Sequence, residues 1–437
     1  MKKLNVIYRR EKGDTFLIGQ LAMSGHKVYF EYAPSFLADP LWLSPFKLPP
    51  KPGLFEHTDR NFGPLFGLFD DSLPDGWGLM LMDRFFAKQG IDVASVSILH
   101  RLAFLGTATM GALTYEPALT HEKDSSSGFN LHLLAEQSRE IIEGRSDTVL
   151  PQLMRAGGSP GGARPKVLVG VDGEKIISGE DDLPEGFEYW IVKFNSGNDL
   201  PDAGAVEYAY SLMARDAGIV MPETRLFQTG SGESFFGIKR FDRQGNRRYH
   251  VHTLGNMLHV NYRIPSMDYQ AFFKVIKVLT KNHQDLLRGF RQMIFNVLSN
   301  NRDDHVKNFA FMINESREWT LTPAYDLTFS PGPGGEHSMT VAGEGRQPGV
   351  RQFMQLGQRA GLSTSEADHC LDQVLLAVKG WLDYARTAGV IKTSRCKIDQ
   401  AIKRNIMGCT RQALRETLLH PIGKAPLSEI AKGRKND

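Results

Sequence analysis

Alternating apolar and polar positions mark short strands through the first 240 residues, and helical spacing dominates from about Pro265 onward. Phe16-Leu17-Ile18-Gly19-Gln20-Leu21 and Lys27-Val28-Tyr29-Phe30-Glu31-Tyr32 flank Ser24-Gly25-His26 and predict a hairpin. Pro40 to Gly53 is proline-rich and reads as irregular. Behind the turn Leu73-Pro74-Asp75, Trp77, Met80, Leu81 and Phe85 recur at helical spacing and predict a helix through Lys88. A second short helix near Ala94–Leu105 and a strand at Ala112–Tyr115 follow. Thr120 to Gly128 is polar and breaker-rich, so a domain boundary is expected there.

Beyond it, an amphipathic helix is predicted over Leu131–Ile142. Val167–Val171 and Lys175–Ile177 surround Asp172-Gly173, a strong hairpin signal. Tyr189–Phe194 reads as a strand, and Ala205–Ala217 as a helix closed by Gly218. Strands are expected near Thr224–Phe227 and Ser234–Ile238. The later helical region is interrupted by a hairpin at Ala310–Thr322, and no internal repeat is visible.

With 437 residues, the chain suggests roughly two or three structural units. Hydrophobic residues at 41% and charged residues at 23% exclude a disordered or fibrous chain. No apolar run suffices to span a membrane, and charge near the start interrupts any signal-peptide core. Three cysteines without a CxxC pair argue against a disulfide framework or a cysteine-built zinc site. A cytoplasmic protein is expected, with no membrane association. Lys392–Asp437 carries eleven Lys/Arg against four Asp/Glu, a basic tail that suits nucleic acid, an acidic partner or simply a solvated helical face.

The segment Ala156-Gly157-Gly158-Ser159-Pro160-Gly161-Gly162-Ala163-Arg164-Pro165-Lys166 admits four readings. A Walker A loop fails because Ala163 replaces the lysine, and no register gives a dinucleotide fingerprint. Gly157-Gly158-Ser159-Pro160-Gly161 matches a nucleophile elbow, but a helical segment precedes it and a strand follows, the reverse of a hydrolase. The fourth is a glycine loop whose backbone N–H groups approach phosphate, with Arg164 and Lys166 adding positive charge. Taken alone it equally suits a glycine-rich surface turn.

Phosphoryl transfer needs a lysine on the phosphates, oxygen ligands for Mg²⁺ and a base at the acceptor hydroxyl. Lys193 ends an apolar strand, and Glu207, fourteen residues on in the next helix, could pair with it. The plainer alternative is a strand-end lysine snorkelling to solvent. Asp303 and Asn308 have the Asp-x4-Asn spacing of a kinase catalytic loop, with Asp303 as base and Asn308 on a metal. The hairpin after them delivers Asp326, a second hard-oxygen ligand for Mg²⁺ with ATP. His250, His252 and His259 fit no metal-binding spacing and read as strand-face or core histidines. Asp303 and Asp304 diverge too sharply, as adjacent residues, to flank a glycosidic bond.

These residues resemble the HipA family of bacterial serine/threonine kinase toxins of toxin–antitoxin systems. The resemblance rests on Phe69-Asp70-Asp71-Ser72-Leu73-Pro74-Asp75, Gly158 to Lys166, Ile191-Val192-Lys193, Lys239-Arg240-Phe241-Asp242-Arg243, Asp303 to Phe309 and Thr322 to Asp326. It implies an α+β, bilobal protein-kinase-like fold with a small mixed N-lobe and a mainly helical C-lobe, preceded by a small N-terminal α/β subdomain. The expected division is 1–125, 126–240 and 241–437. It implies an ATP site at Gly158, Ser159, Gly161, Gly162, Ala163, Lys166, Lys193, Glu207, Lys239 and Phe241, with 240–243 as the hinge under the adenine and Phe241 in contact with it. Asp303 is implied as catalytic base, Asn308 and Asp326 as Mg²⁺ ligands, and His305 or Lys307 as the γ-phosphate contact. Ser159 matches the family's autophosphorylated serine, where added charge would expel the loop and silence the enzyme.

The implied partners are a HipB-like helix-turn-helix antitoxin, DNA only through that antitoxin, and a protein substrate, an aminoacyl-tRNA synthetase in the best-known members. His305 stands where eukaryotic-type kinases use lysine, and Asp326 lacks a glycine two positions on. The alternative functions are a small-molecule kinase of the aminoglycoside or choline type, and a non-catalytic corepressor acting with a DNA-binding partner.

Overall fold

A computed structural model describes residues 1–119, 130–145, 153, 162, 164–179, 182–196, 199–228 and 233–407. The expected boundary at 120–128, the glycine-loop residues Gly158, Ser159, Gly161 and Ala163, and the tail beyond 407 lie outside the described residues.

The first sheet is antiparallel, in the order β4-β3-β2-β1-β5, from β1 (Lys3–Glu11), β2 (Asp14–Ser24), β3 (Lys27–Tyr32), β4 (Leu54–Glu56) and β5 (Leu113–Glu116). The expected hairpin is β2–β3, with Leu21 opposite Phe30. β1 was not foreseen, because Lys3, Arg9 and Arg10 at its ends disguise the buried alternation Leu4, Val6, Tyr8. Two single turns, α1 (Pro34–Leu37) and α2 (Gly67–Asp70), precede α3 (Gly76–Lys88) and α4 (Ile98–Leu105). The expected helix at 94–105 is broken. A 3₁₀ turn at Val93–Ser95 ends before Ser97, whose hydroxyl accepts the His100 N–H and starts α4 afresh.

After α5 (Leu131–Ile142) comes the second sheet, in the order β7-β6-β8-β10-β9. Its strands are β6 (Lys166–Asp172), β7 (Lys175–Ser178), β8 (Glu188–Lys193), β9 (Thr224–Gln228) and β10 (Ser234–Lys239), with α6 (Ala203–Asp216) inserted after β8. α3 packs on this second sheet, whereas α4 lies between the two, with Leu99, Leu102 and Ala103 in the first sheet's core and Phe104 and Leu105 facing the second. Trp77, Leu81, Phe86 and Phe104 join Val167, Val169, Trp190, Val192 and Phe227 in one buried cluster.

The remainder is mainly helical, with Tyr269–Leu279, His283–Leu298, Val350–Ala360 and Thr364–Lys379 around one core and Lys392–Met407 beside it. Val251–Thr253, Ala310–Ile313 and Trp319–Leu321 form a small antiparallel sheet containing the expected hairpin. The architecture is thus α+β and kinase-like, with an additional N-terminal sheet. No helix among the described residues is long and apolar enough to cross a membrane.

Polar bonds fasten the N-terminal sheet region to the rest. Asp242 accepts the Gly111 N–H at 2.8 Å, and Arg243 donates to the Thr109 carbonyl at 2.9 Å and the Gly111 carbonyl at 3.0 Å. Gly67 lies so close to the Asn256 carbonyl oxygen that a Cβ would come within 1.9 Å of it.

Candidate active site

The β6–β8 register sets Lys166 directly opposite Lys193, and both side chains are buried. Like charges facing each other across a ladder repel, and burial sharpens the cost. The structure answers with carboxylates. Lys193 Nζ donates to Glu207 Oε1 at 2.5 Å and also to Asp326 Oδ1. Burial alone would lower the Lys193 pKa, but Asp326 and Glu207 outweigh it and raise it. Lys166 is pushed down to about 8, by burial first, with Asp326 opposing and Lys193 adding to the fall. Asp326 is held well below the carboxylate range, because Lys193 and Lys166 overcome its burial.

Glu207, 2% exposed on α6, holds a second cation that the sequence did not assign to it. Arg164 Nη1 donates to Glu207 Oε2 at 2.7 Å, and Arg164 also bonds the Phe194 carbonyl and Asn195 Oδ1. The positive charge that Arg164 brings to the end of the glycine loop is thus met by Glu207.

The loop after His283–Leu298 carries Asp303, which is exposed. Its pKa is raised by surrounding protein, with Asp326 and Asp304 adding and His305 opposing. Asn308 Nδ2 donates to the Asp303 carbonyl at 2.7 Å, fixing the loop across the expected spacing. His305 Nδ1 accepts the Lys307 N–H, and the Tyr325 hydroxyl donates to the Lys307 carbonyl at 2.7 Å, which ties the loop to the residue before Asp326. Asp326 has φ 54°, a left-handed conformation that aspartate tolerates better than most residues. Beneath lies Asp304, 1% exposed, which accepts from Tyr269 Oη at 2.8 Å, His337 Nδ1 at 2.9 Å and the Ser338 N–H at 2.8 Å.

Lys307 reaches neither Asp303 nor Asp326 by a hydrogen bond or ion pair. Its Nζ lies 3.3 Å from Asp70 Oδ2, 3.7 Å from Asp75 Oδ2 and 4.9 Å over the Tyr262 ring. Phe241 stacks on Tyr325 at 5.7 Å, beside Asp326. Lys239 pairs with Glu188 on the adjacent strand. The three histidines set aside as structural behave so: His250 meets the Leu43 carbonyl, His252 bonds Asp71 and Ser44, and His259 accepts the Gly67 N–H.

Comparison with known proteins decides the family. Residues 158–382 match the HipA-like C-terminal domain, and residues 13–116 match the HipA N-terminal domain.

The chain belongs to the HipA family.

This HipA-family chain has distant relatives. It is 27% identical over 212 residues to the putative kinase Y4dM of Sinorhizobium fredii, covering 45% of this chain and 49% of that protein. A putative kinase of Haemophilus influenzae is 27% identical over 201 residues, covering 43% of this chain and 57% of it. The match thus spans about half the length of these curated relatives. Among solved structures, HipA of Shewanella oneidensis, from a complex with HipB and operator DNA, superposes with TM-score 0.67 at 16% identity. It covers 93% of this chain and 96% of that one.

Proposed function

We propose that this HipA-family chain is an ATP- and Mg²⁺-dependent serine/threonine protein kinase, the toxin of a toxin–antitoxin pair. The observation that carries this reading is the convergence of Lys193, Glu207 and Asp326, drawn from strand, helix and post-hairpin loop, beside an Asp303–Asn308 loop. Such a set serves phosphoryl transfer, where positioning and charge do most of the work.

Lys193 and Lys166 would meet the nucleotide phosphates, exchanging protein carboxylates for phosphate oxygens. Asp303, with its raised pKa, would take the acceptor hydroxyl's proton as that oxygen attacks the γ-phosphate. Asn308 gives its amide nitrogen to Asp303, which leaves its oxygen available, and Asp326 supplies an ionised carboxylate. Among the described residues no group of three or more His, Cys, Asp or Glu is arranged to hold a metal alone. An amide oxygen and one carboxylate suit Mg²⁺ that arrives largely ligated by phosphates and water. The chemistry that a bound Mg²⁺ would supply there is neutralisation of phosphate charge.

Gly158, Ser159, Gly161, Gly162 and Ala163 would cradle those phosphates, and Lys239 and Phe241 would flank the adenine. Ser159 would be the site of self-phosphorylation, shutting the kinase down. A HipB-like antitoxin is the proposed partner, with DNA reached through it and a translation component such as an aminoacyl-tRNA synthetase as substrate.

Incubation with ATP and Mg²⁺ followed by intact-mass measurement tests the reading. One added phosphate is expected on wild type, none on Asp303→Gln, and a lost or displaced phosphate on Ser159→Ala. No added phosphate on any form, together with ATP consumption only in the presence of a metabolite, would replace it with a small-molecule kinase. ATP binding without any turnover would replace it with a corepressor.

A further inference from the structure

Asp75 stands at the N-cap position of α3 but does not cap its own helix. Its carboxylate instead reaches two other parts of the chain. Oδ1 accepts the Gly162 N–H, and Oδ2 lies 3.7 Å from Lys307 Nζ. The first turn of α3 completes the grip, because the Trp77 N–H donates to the Gly162 carbonyl at 3.2 Å. Gly162 is therefore held through both its N–H and its carbonyl by the start of one helix.

Its position is narrow. Gly162 has φ 107°, and a Cβ there would lie 2.6 Å from Lys166 Nζ. Asp75 is 8% exposed and keeps a pKa below the ordinary carboxylate value, because Lys307, the Gly162 N–H, Lys166 and Tyr262 together overcome its burial. Lys307 is raised for the matching reason: burial would lower it, but Asp70, Asp75 and Asp71 prevail. One N-terminal carboxylate thus touches the last glycine of the loop before β6 and the lysine beside Asn308.

We infer that Asp75 is a positioning residue of the nucleotide phosphate site, holding Gly162 next to Lys166 with one carboxylate oxygen and restraining Lys307 with the other. The inference rests on the kinase reading above and assigns part of that site to the N-terminal region. Asp75 itself touches no substrate. It fixes where the loop end and Lys307 stand before nucleotide arrives, a preorganisation that appears in nucleotide affinity more than in the chemical step.

The test uses the full-length protein, with ATP affinity from titration of a fluorescent ATP analogue and KM and kcat from ATP turnover. Asp75→Ala removes both contacts and is expected to weaken nucleotide binding about tenfold or more, the order of one charge-assisted hydrogen bond. kcat at saturating ATP should change much less. Asp75→Asn keeps an acceptor oxygen for the Gly162 N–H and should recover most of the affinity; the loss falling on affinity and KM with kcat spared is what a merely structural role would not produce. Thermal unfolding of each variant separates misfolding from misplacement. If wild type binds ATP and a folded Asp75→Ala binds it equally well, the inference is wrong and the kinase reading stands. Equal damage in Asp75→Ala and Asp75→Asn, with KM unmoved, also overturns it. If wild type binds no ATP, the kinase reading fails and takes the inference with it.

Discussion

Glu207 gathers two cations on one buried carboxylate, so neutralising it perturbs the site at its most connected point. Lys193 Nζ sits at 2.5 Å and Arg164 Nη1 at 2.7 Å from its two oxygens. Glu207→Gln keeps the shape but offers one acceptor oxygen and one amide NH₂, which must face one of the cations. Removing one member of a buried ion pair costs about 3–5 kcal/mol. Arg164 retains the Phe194 carbonyl and Asn195, and Lys193 retains Asp326, which sets the expected loss near the lower bound, about 3 kcal/mol. For a 437-residue chain unfolding as one unit, that lowers the unfolding midpoint by about 3 °C.

Thermal unfolding of wild type, Glu207→Gln, Lys193→Met and the double variant completes the cycle. Residues in direct contact couple by about 0.5–3 kcal/mol, and this pair is expected in the upper part of that range. ATP turnover should fall alongside, since an uncompensated Lys193 would draw Asp326 away from its proposed ligand role. An unshifted midpoint in Glu207→Gln, or single effects that simply add, would refute the claim that this carboxylate holds the two cations.

Three further outcomes follow from the same geometry. Lys166 has a folded pKa of about 8 against 10.5 ordinarily, so the unfolded chain binds more protons between these values. Stability should therefore rise with pH across that window while ATP affinity falls, and both trends should flatten in Lys166→Met when midpoints and affinities are measured over pH 7 to about 10.5. Asp242 is buried, yet Arg240 and Arg243 hold its pKa well below the usual range. Its contribution is fully present above about pH 4 and lost as pH falls below, so Asp242→Asn should be less stable at neutral pH and lose less on acidification. Asp304→Ala leaves Tyr269, His337 and the Ser338 N–H without their acceptor and should cost about 3 kcal/mol in urea unfolding, with transfer activity falling as the loop loosens.

The elements that the sequence discloses are those whose signal is local. The β6–β7 hairpin follows from Asp172-Gly173, and α5 begins at Leu131 and ends at Ile142, as its apolar spacing predicts. Lys193 and Glu207 were legible as a pair because an apolar strand ending in lysine needs a counter-charge close by. Asp304 with His337, Asp70 and Asp75 with Lys307, and Arg164 with Glu207 were not. Their partners lie 33, more than 230 and 43 residues away, and no periodicity links positions that only the tertiary fold brings together. For Asp75 a signal did exist, since Phe69 to Asp75 was already part of the resemblance, but nothing in the run itself indicates its partner.

The sharing of α3 and α4 with the second sheet bears on how such a protein could be divided. The two family matches lie on either side of residues 117–157, which suggests a natural seam for gene fission. Yet a polypeptide ending at that seam would carry away Trp77, Leu81, Phe86 and Phe104, leaving an apolar scar over Val167, Val169 and Trp190 on the other piece. The fragments would have to be made together and re-dock to become soluble. A lineage that split this gene would turn an internal packing surface into an obligatory subunit interface, and the supply of one fragment could then ration the activity of the other.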